Sequence, residues 1–112
     1  MAHTYKNSKI DLTTTNATAL ITVPSGSTII VKSIIIWEDT NNDHSISLTI
    51  VNDSSTFQFL KDAAISAKAT IQGMGGHNST LVLGEDDILK AQAATANRLH
   101  VITSYLEITW LV

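Results

Sequence analysis

The stretch "TIIVKSIIIWE", residues 28–38, decides the fold class, because seven of its eleven positions are apolar and they occupy both alternating faces. By simple alternation its apolar side chains divide between two faces, Ile29, Val31, Ile35 and Trp37 on one and Ile30, Ile34 and Ile36 on the other. β-Branched residues favour strands, since their stiff side chains suit a pleated and half-buried surface. A strand that is apolar on both faces is expected to be covered twice, by a facing sheet and by a neighbouring subunit.

Working outward, the same alternation recurs between turn signals. The turn "PSGS", residues 24–27, separates "ATALITV" from the central strand, with Gly26 free to adopt a positive φ. In "SISLTIV", Ile46, Leu48 and Ile50 alternate with polar residues and are predicted to face inward. Residues 63–71, "AAISAKATI", are rich in alanine, which favours helix, yet they alternate throughout and are predicted to form a strand.

Three further strands are predicted in "TLVL", "DILKAQA" and "RLHVITSYLEITWLV". About eight short strands with turn signals at this spacing are typical of a sandwich. We therefore predict an all-β, single-domain antiparallel β-sandwich of jelly-roll-like type over residues 1–112, with residues 1–8 as an extended N-terminal arm.

The composition excludes several classes of function. The 112 residues are 44% hydrophobic and 15% charged, with a net charge of −3 and no cysteine. Nucleic-acid binding needs a basic stripe, and a membrane span needs about 20 apolar residues, so neither nucleic acid nor membrane is a predicted partner. Without cysteine there is no thiolate metal site or disulfide. The uncharged Thr, Ser and Asn that replace charge indicate a component of an assembly.

The acidic turn "GEDD", residues 84–87, is the first candidate for chemistry. Glycine and aspartate are ordinary turn residues, because glycine adopts a positive φ and aspartate hydrogen-bonds to nearby backbone. Glycoside hydrolysis needs two carboxylates across a cleft, which adjacent turn residues do not provide. No nucleophile motif is present either, so the sequence predicts a solvated corner and no enzyme.

A second candidate is the loop "EDTNNDHS", residues 38–45, whose acidic and amide residues have the spacing that opens a calcium loop. His44 stands at the sixth position, where glycine is needed, and Ile50 at the twelfth, where glutamate is needed. The four histidines show no ligand spacing. We predict no metal and no cofactor, and expect loops 39–45 and 73–79 to contact partners through Asp39, Asn41, Asp43, His44, Met74 and His77.

The apolar strands supply the residues predicted for core or subunit packing: Ile29, Val31, Ile34, Ile36, Trp37, Ile102, Leu106 and Trp110. Both tryptophans lie on apolar runs and are expected in the core. If they were exposed instead, they could stack on a sugar or contact another subunit.

The order of the segments resembles that of small virion proteins of tailed bacteriophages. The resemblance runs through "YKNSKIDLTTTNATALITVPSGSTIIVKSIIIWEDT", "SISLTIVN" and "LVLGEDDILKAQAATANRLHVITSYLEI", nearly the whole chain. Where those proteins commonly read "EAGD", this chain has "GEDD", so the shared element is an acidic turn containing glycine. The resemblance implies a phage structural β-sandwich located in the virion.

On this basis we expect a capsid decoration or cement protein. Its partners would be itself, as a trimer or other small homo-oligomer, and the phage major capsid protein. A neck, tail or fibre-attachment component, bound to neck or tail proteins, is one alternative. A small carbohydrate-binding β-sandwich module is another.

Overall fold

The structure of the chain, a computed structural model, describes residues 2–38, 40, 43–74 and 80–110. These residues contain no helix, and hence none long and apolar enough to cross a membrane. They form nine strands: β1 (Ala2–Leu12), β2 (Thr18–Thr22), β3 (Ser27–Glu38), β4 (His44–Asn52), β5 (Ser55–Ile65), β6 (Thr70–Gln72), β7 (Leu81–Leu83), β8 (Ile88–Ala93) and β9 (Leu99–Thr109).

Two antiparallel sheets are packed face to face. The five-stranded sheet has the order β1-β9-β3-β6, and β7 also pairs with β3, on the stretch that β6 leaves open. The four-stranded sheet has the order β2-β8-β4-β5. The predicted antiparallel β-sandwich is confirmed, although β1, β3, β5 and β9 have eleven or twelve residues and are not short.

The N-terminal residues differ from the expected arm. Residues 2–8 belong to β1, which pairs with β9 without interruption from Ala2 opposite Thr109 to Leu12 opposite Leu99. The first strand therefore forms one edge of the five-stranded sheet.

The core lies between the two sheets, and a β-bulge in β3 determines which residues enter it. Val31 pairs with Tyr105 but Ser33 pairs with Ser104, so Lys32 is an extra residue. A bulge of this kind shifts the following side chains to the other face. Simple alternation was therefore wrong beyond Val31: Ile34 and Ile36 face inward, whereas Ile35 and Trp37 face outward.

The segment 63–71 is not one strand. Strand β5 ends at Ile65 in the four-stranded sheet, and β6 begins at Thr70 in the five-stranded sheet. The intervening turn passes between the sheets, with Lys68 at a φ of 57°. Alternating alanines persist through the turn because Ala63 and Ala69 both pack against the core. The alternation of residues 63–71 is therefore divided between the end of β5, a turn and the start of β6.

Candidate functional site: the outer face of the five-stranded sheet

The five-stranded sheet exposes an apolar surface on the face turned away from the core. Pairing aligns Trp37 of β3 with His100 of β9, which lies opposite Asp11 of β1. The next outward row consists of Ile35, Ile102 and Lys9. These six residues and two more, Ile10 and Val101, line a groove of about 470 Å³. We call this groove the Trp37 groove.

Contacts within the Trp37 groove fix the position of its aromatic residues. The rings of Trp37 and His100 meet edge to face, with centroids 5.5 Å apart and an interplanar angle of 68°. His100 Nδ1 lies 3.1 Å from Asp11 Oδ1. Trp37 is nevertheless 44% exposed and Ile102 is 40% exposed. The groove thus has an apolar floor and a polar rim, the anatomy of a protein interface.

A second apolar area lies further along the same face. Ile30, Leu106 and Tyr5 form one row, and Val82 of β7 lies beside Ile30. Near the end of β9, the indole Nε1 of Trp110 donates a hydrogen bond to Thr28 Oγ1 at 3.4 Å. Trp110 is 45% exposed, so the expectation that both tryptophans lie in the core was wrong. Their outward position leaves them available for a partner.

The predicted packing residues therefore divide into two groups. Those on the inner side of β3 are buried in the core: Ile29, Val31, Ile34 and Ile36. Those on the outer face are only partly covered within one chain: Trp37, Ile102, Leu106 and Trp110. Only the second group can contact another subunit.

The predicted contact loops are only partly described. Asp39, Asn41 and His77 lie outside the described residues. Asp43 is exposed, and its Oδ1 accepts a hydrogen bond from the backbone N–H of Ala67 at 2.9 Å. Met74 is partly buried and packs against the core, and the side chain of His44 is nearly buried. In the described part of these loops, these three side chains contact other residues of the same chain.

Glu38, at the end of β3, is the polar residue that the sequence did not single out. Its side chain is fully buried, and Oε2 accepts a hydrogen bond from the Lys68 backbone N–H at 2.9 Å. Oε1 accepts hydrogen bonds from the Thr40 hydroxyl and, at 2.9 Å, from the Thr40 backbone N–H, and lies 3.4 Å from His44 Nε2. Burial alone raises the pKa of Glu38, but these hydrogen bonds and His44 outweigh it and lower the pKa. The carboxylate thus connects two loops.

The acidic turn also has a structural role. Asp87 accepts hydrogen bonds from the Gly84 backbone N–H at 2.8 Å and from the Asn52 side chain at 2.5 Å. Glu85 accepts one from the Gly26 backbone N–H at 2.8 Å. These carboxylates connect three turns at one end of the sandwich. Among the described residues, no group of three or more potential ligands could hold a metal ion.

No family model and no curated protein matches the chain. Among solved structures, a chain of the acidic stable capsid of Helicobacter pylori bacteriophage KHP30 aligns with a TM-score of 0.58 and 12% identity, over 96% of this chain and 89% of that one. The fold is shared with a phage capsid chain.

Two other solved structures align less well. A pentameric capsid protein from metagenomic phage sequences has a TM-score of 0.44 and 13% identity, over 94% of this chain and 60% of its own. The virus-like particle of the Macrobrachium rosenbergii extra small virus has a TM-score of 0.43 and 13% identity, over 95% and 77% of the respective chains.

Proposed function

We propose that this chain is a structural protein of a bacteriophage virion, a decoration or cement protein that self-associates and stabilises the capsid lattice. The observation that carries the proposal is the exposed apolar outer face on a sandwich whose fold matches a phage capsid chain. A partly exposed tryptophan beside an exposed isoleucine is typical of an interface centre.

The strand order supports a jelly roll as the form of this sandwich. Successive strands β1, β2, β3 and β4 alternate between the two sheets, and β8 and β9 again lie in different sheets. Double-sheet jelly rolls with this kind of connectivity recur in viral capsid proteins. One hydrophobic cluster draws residues from both sheets, which favours a single domain over residues 1–112.

In a capsid lattice, a subunit contact of modest free energy would be enough to stabilise the shell. Apolar surface contributes about 25 cal/mol per Å² buried, so a contact that buries about 400 Å² gains about 10 kcal/mol before the costs of association. Those costs leave a weak contact for one copy. Repetition by symmetry raises the effective concentration of every neighbouring contact and stabilises the whole shell.

The direct test is mass spectrometry of purified particles of the virus that encodes the chain. Hundreds of copies per particle would support a decoration role. About a dozen or fewer would favour the alternative of a neck, tail or fibre-attachment protein, because rings around the portal axis contain few subunits. If the chain were missing from the particles, both proposals would be wrong.

A binding experiment tests the role of the outer face. Particles that lack the chain are mixed with purified wild type, with Ile102→Asp or with Phe57→Asp, and bound protein is measured after sedimentation. Both residues are exposed, so both variants should fold, but Phe57 lies on the other sheet. Ile102→Asp should weaken binding by about tenfold or more, since it places a charge at an interface centre. Equal binding of both variants would contradict this use of the face.

A carbohydrate-binding module is the second candidate, because Trp37 is exposed beside Asp11 and His100. Aromatic rings with neighbouring polar groups can hold sugars. Replacing Trp110 by phenylalanine leaves Trp37 as the only tryptophan, so its fluorescence can be titrated with oligosaccharides. A saturable spectral change would favour the sugar site, and an indifferent spectrum would favour the virion role.

A further inference from the structure

The four edges of the two sheets differ in how well they could accept another strand. In the four-stranded sheet, β2 has a register shift between Ala19 and Ile21, and β5 has two shifts in its pairing with β4. In the five-stranded sheet, the edge opposite β1 is divided between β6 and β7, of three residues each. Bulges and short strands are among the features by which proteins block edge-to-edge pairing.

Strand β1 lacks these blocking features. Its eleven residues pair with β9 without a register shift and include no proline. Strand β1 carries three charged side chains: Lys6 Nζ forms an ion pair with Glu107 Oε2 at 2.9 Å, Asp11 Oδ1 lies 3.1 Å from His100 Nδ1, and Lys9 is exposed. Tyr5 is 79% exposed in the middle of the strand. Within the described residues, β1 is therefore the one long and regular edge that remains open.

We propose that β1 pairs antiparallel with β1 of a second copy, in the register that places Asn7 opposite Asn7. This inference rests on the proposed function, since it names the surface through which the protein self-associates. The register keeps all eleven residues of β1 in the ladder. Any shift from it loses pairs at both ends of the strand, and with them the cross-strand contacts that stabilise a sheet.

Side-chain chemistry agrees with the same register. On the outer face, Tyr5 lies opposite Lys9 of the second copy, and His3 lies opposite Asp11 of the second copy. A lysine stem packed on a tyrosine ring gains both apolar burial and a cation–π contact. Lys6 lies opposite Ser8 of the second copy, so no two like charges are directly opposed. Because the contact is isologous, each of these pairs occurs twice.

The pairing would join the two five-stranded sheets into one continuous sheet. Both outer faces would then lie on the same side of the dimer, with Trp37 and Ile102 on strands that the new contact does not involve. The dimer would thus present a doubled apolar surface to the capsid.

Engineered cysteines test the register directly, because the chain has no cysteine of its own. Asn7→Cys lies on the twofold axis and should form a disulfide dimer under mild oxidation, seen by non-reducing electrophoresis. Tyr5→Cys would lie about four residues from its copy, roughly 13 Å at strand rise, too far for a disulfide. Val82 lies on the opposite edge and is 62% exposed, so Val82→Cys is the control that reports disulfides formed by random collisions. Equal dimer yields for all three variants would overturn the proposal.

A pair of substitutions at one position tests the side-chain chemistry. Tyr5→Lys opposes Lys9 of the second copy twice per dimer, whereas Tyr5→Glu forms two opposite-charge pairs. By analytical ultracentrifugation, Tyr5→Lys should raise the dimer dissociation constant about tenfold or more relative to Tyr5→Glu. Both variants remove the same exposed ring, so any loss of stability caused by its removal is the same in both. Equal dissociation constants would refute the register.

These experiments separate this inference from the proposed function. If the chain were abundant in virions and Asn7→Cys gave no specific dimer, the β1 contact would be wrong and the virion role would stand. If Asn7→Cys dimerised specifically and virions lacked the chain, the β1 contact would stand and the virion role would be wrong.

Discussion

The conversion of Gly73 to alanine tests the packing between the two sheets. A methyl group on Gly73 would lie 2.7 Å from Leu48 Cδ1 and 3.0 Å from Ile34 Cγ2. Ordinary carbon contacts are about 3.5–4.0 Å, so the overlap with Leu48 is close to 1 Å. Both neighbours are fully buried, and the Gly73 N–H donates to Ile34 O at 2.8 Å, which opposes retreat of the backbone. We expect a loss of about 1–3 kcal/mol in the free energy of unfolding.

Gly84→Ala is the matched control, because the added methyl would meet only Asp87 Oδ2, at 3.8 Å. Its effect should be within about 0.5 kcal/mol. Urea unfolding at one fixed protein concentration, followed by circular dichroism, measures all variants.

A double-mutant cycle locates the steric conflict. Leu48→Ala removes the clashing methyl at a cost of about 2–5 kcal/mol, so Gly73→Ala in that background should cost clearly less than in wild type. Additive effects, or a Gly73→Ala variant as stable as Gly84→Ala, would refute the reasoning.

Four other substitutions probe the polar contacts, each by urea unfolding. Asp87→Ala removes an acceptor of two hydrogen bonds and should cost about 1–2 kcal/mol, whereas Asp86→Gly, at a φ of 66°, should change stability by less than about 0.5 kcal/mol. The pKa of Glu38 is below its ordinary value of 4.5. The ionised Glu38 carboxylate therefore stabilises the fold above pH 4.5, and this stabilisation is lost as the pH falls below 4.5. Glu38→Gln should flatten this acid dependence, and an unchanged slope would contradict it. Thr103→Val should stabilise the fold by about 1 kcal/mol, since the buried hydroxyl has no hydrogen-bond partner among the described residues, and a loss of stability would show that it has one.

The sequence predicted most of the strands and the sandwich, because alternation and β-branched residues follow directly from burial on one face. It also indicated the second apolar face of β3, which became the outer surface of the five-stranded sheet. It did not reveal the bulge at Lys32, since a bulge adds one residue without a side-chain signature. For that reason Ile35 and Trp37 were assigned to the wrong side.

The polar contacts were harder to foresee. Glu38 is held by backbone N–H groups, one of them thirty residues away at Lys68, and backbone donors leave no trace in a sequence. Once the bulge is known, Glu38 falls on the inward face after Ile34 and Ile36, and a carboxylate there needs partners. The acidic turn was correctly read as a corner, but the turns that it connects are brought together only by the tertiary fold.

The pairing of β1 with β9 has a consequence for biosynthesis. Strand β1 leaves the ribosome before the other described strands, yet its partner in the sheet is β9, the last of them. At about 5–20 residues per second, the five-stranded sheet cannot close until residues 99–109 have emerged, several seconds later. During that interval β1 has neither edge satisfied. An incomplete nascent chain therefore lacks the regular β1 edge, so the proposed β1 contact would form only between chains that have completed the five-stranded sheet.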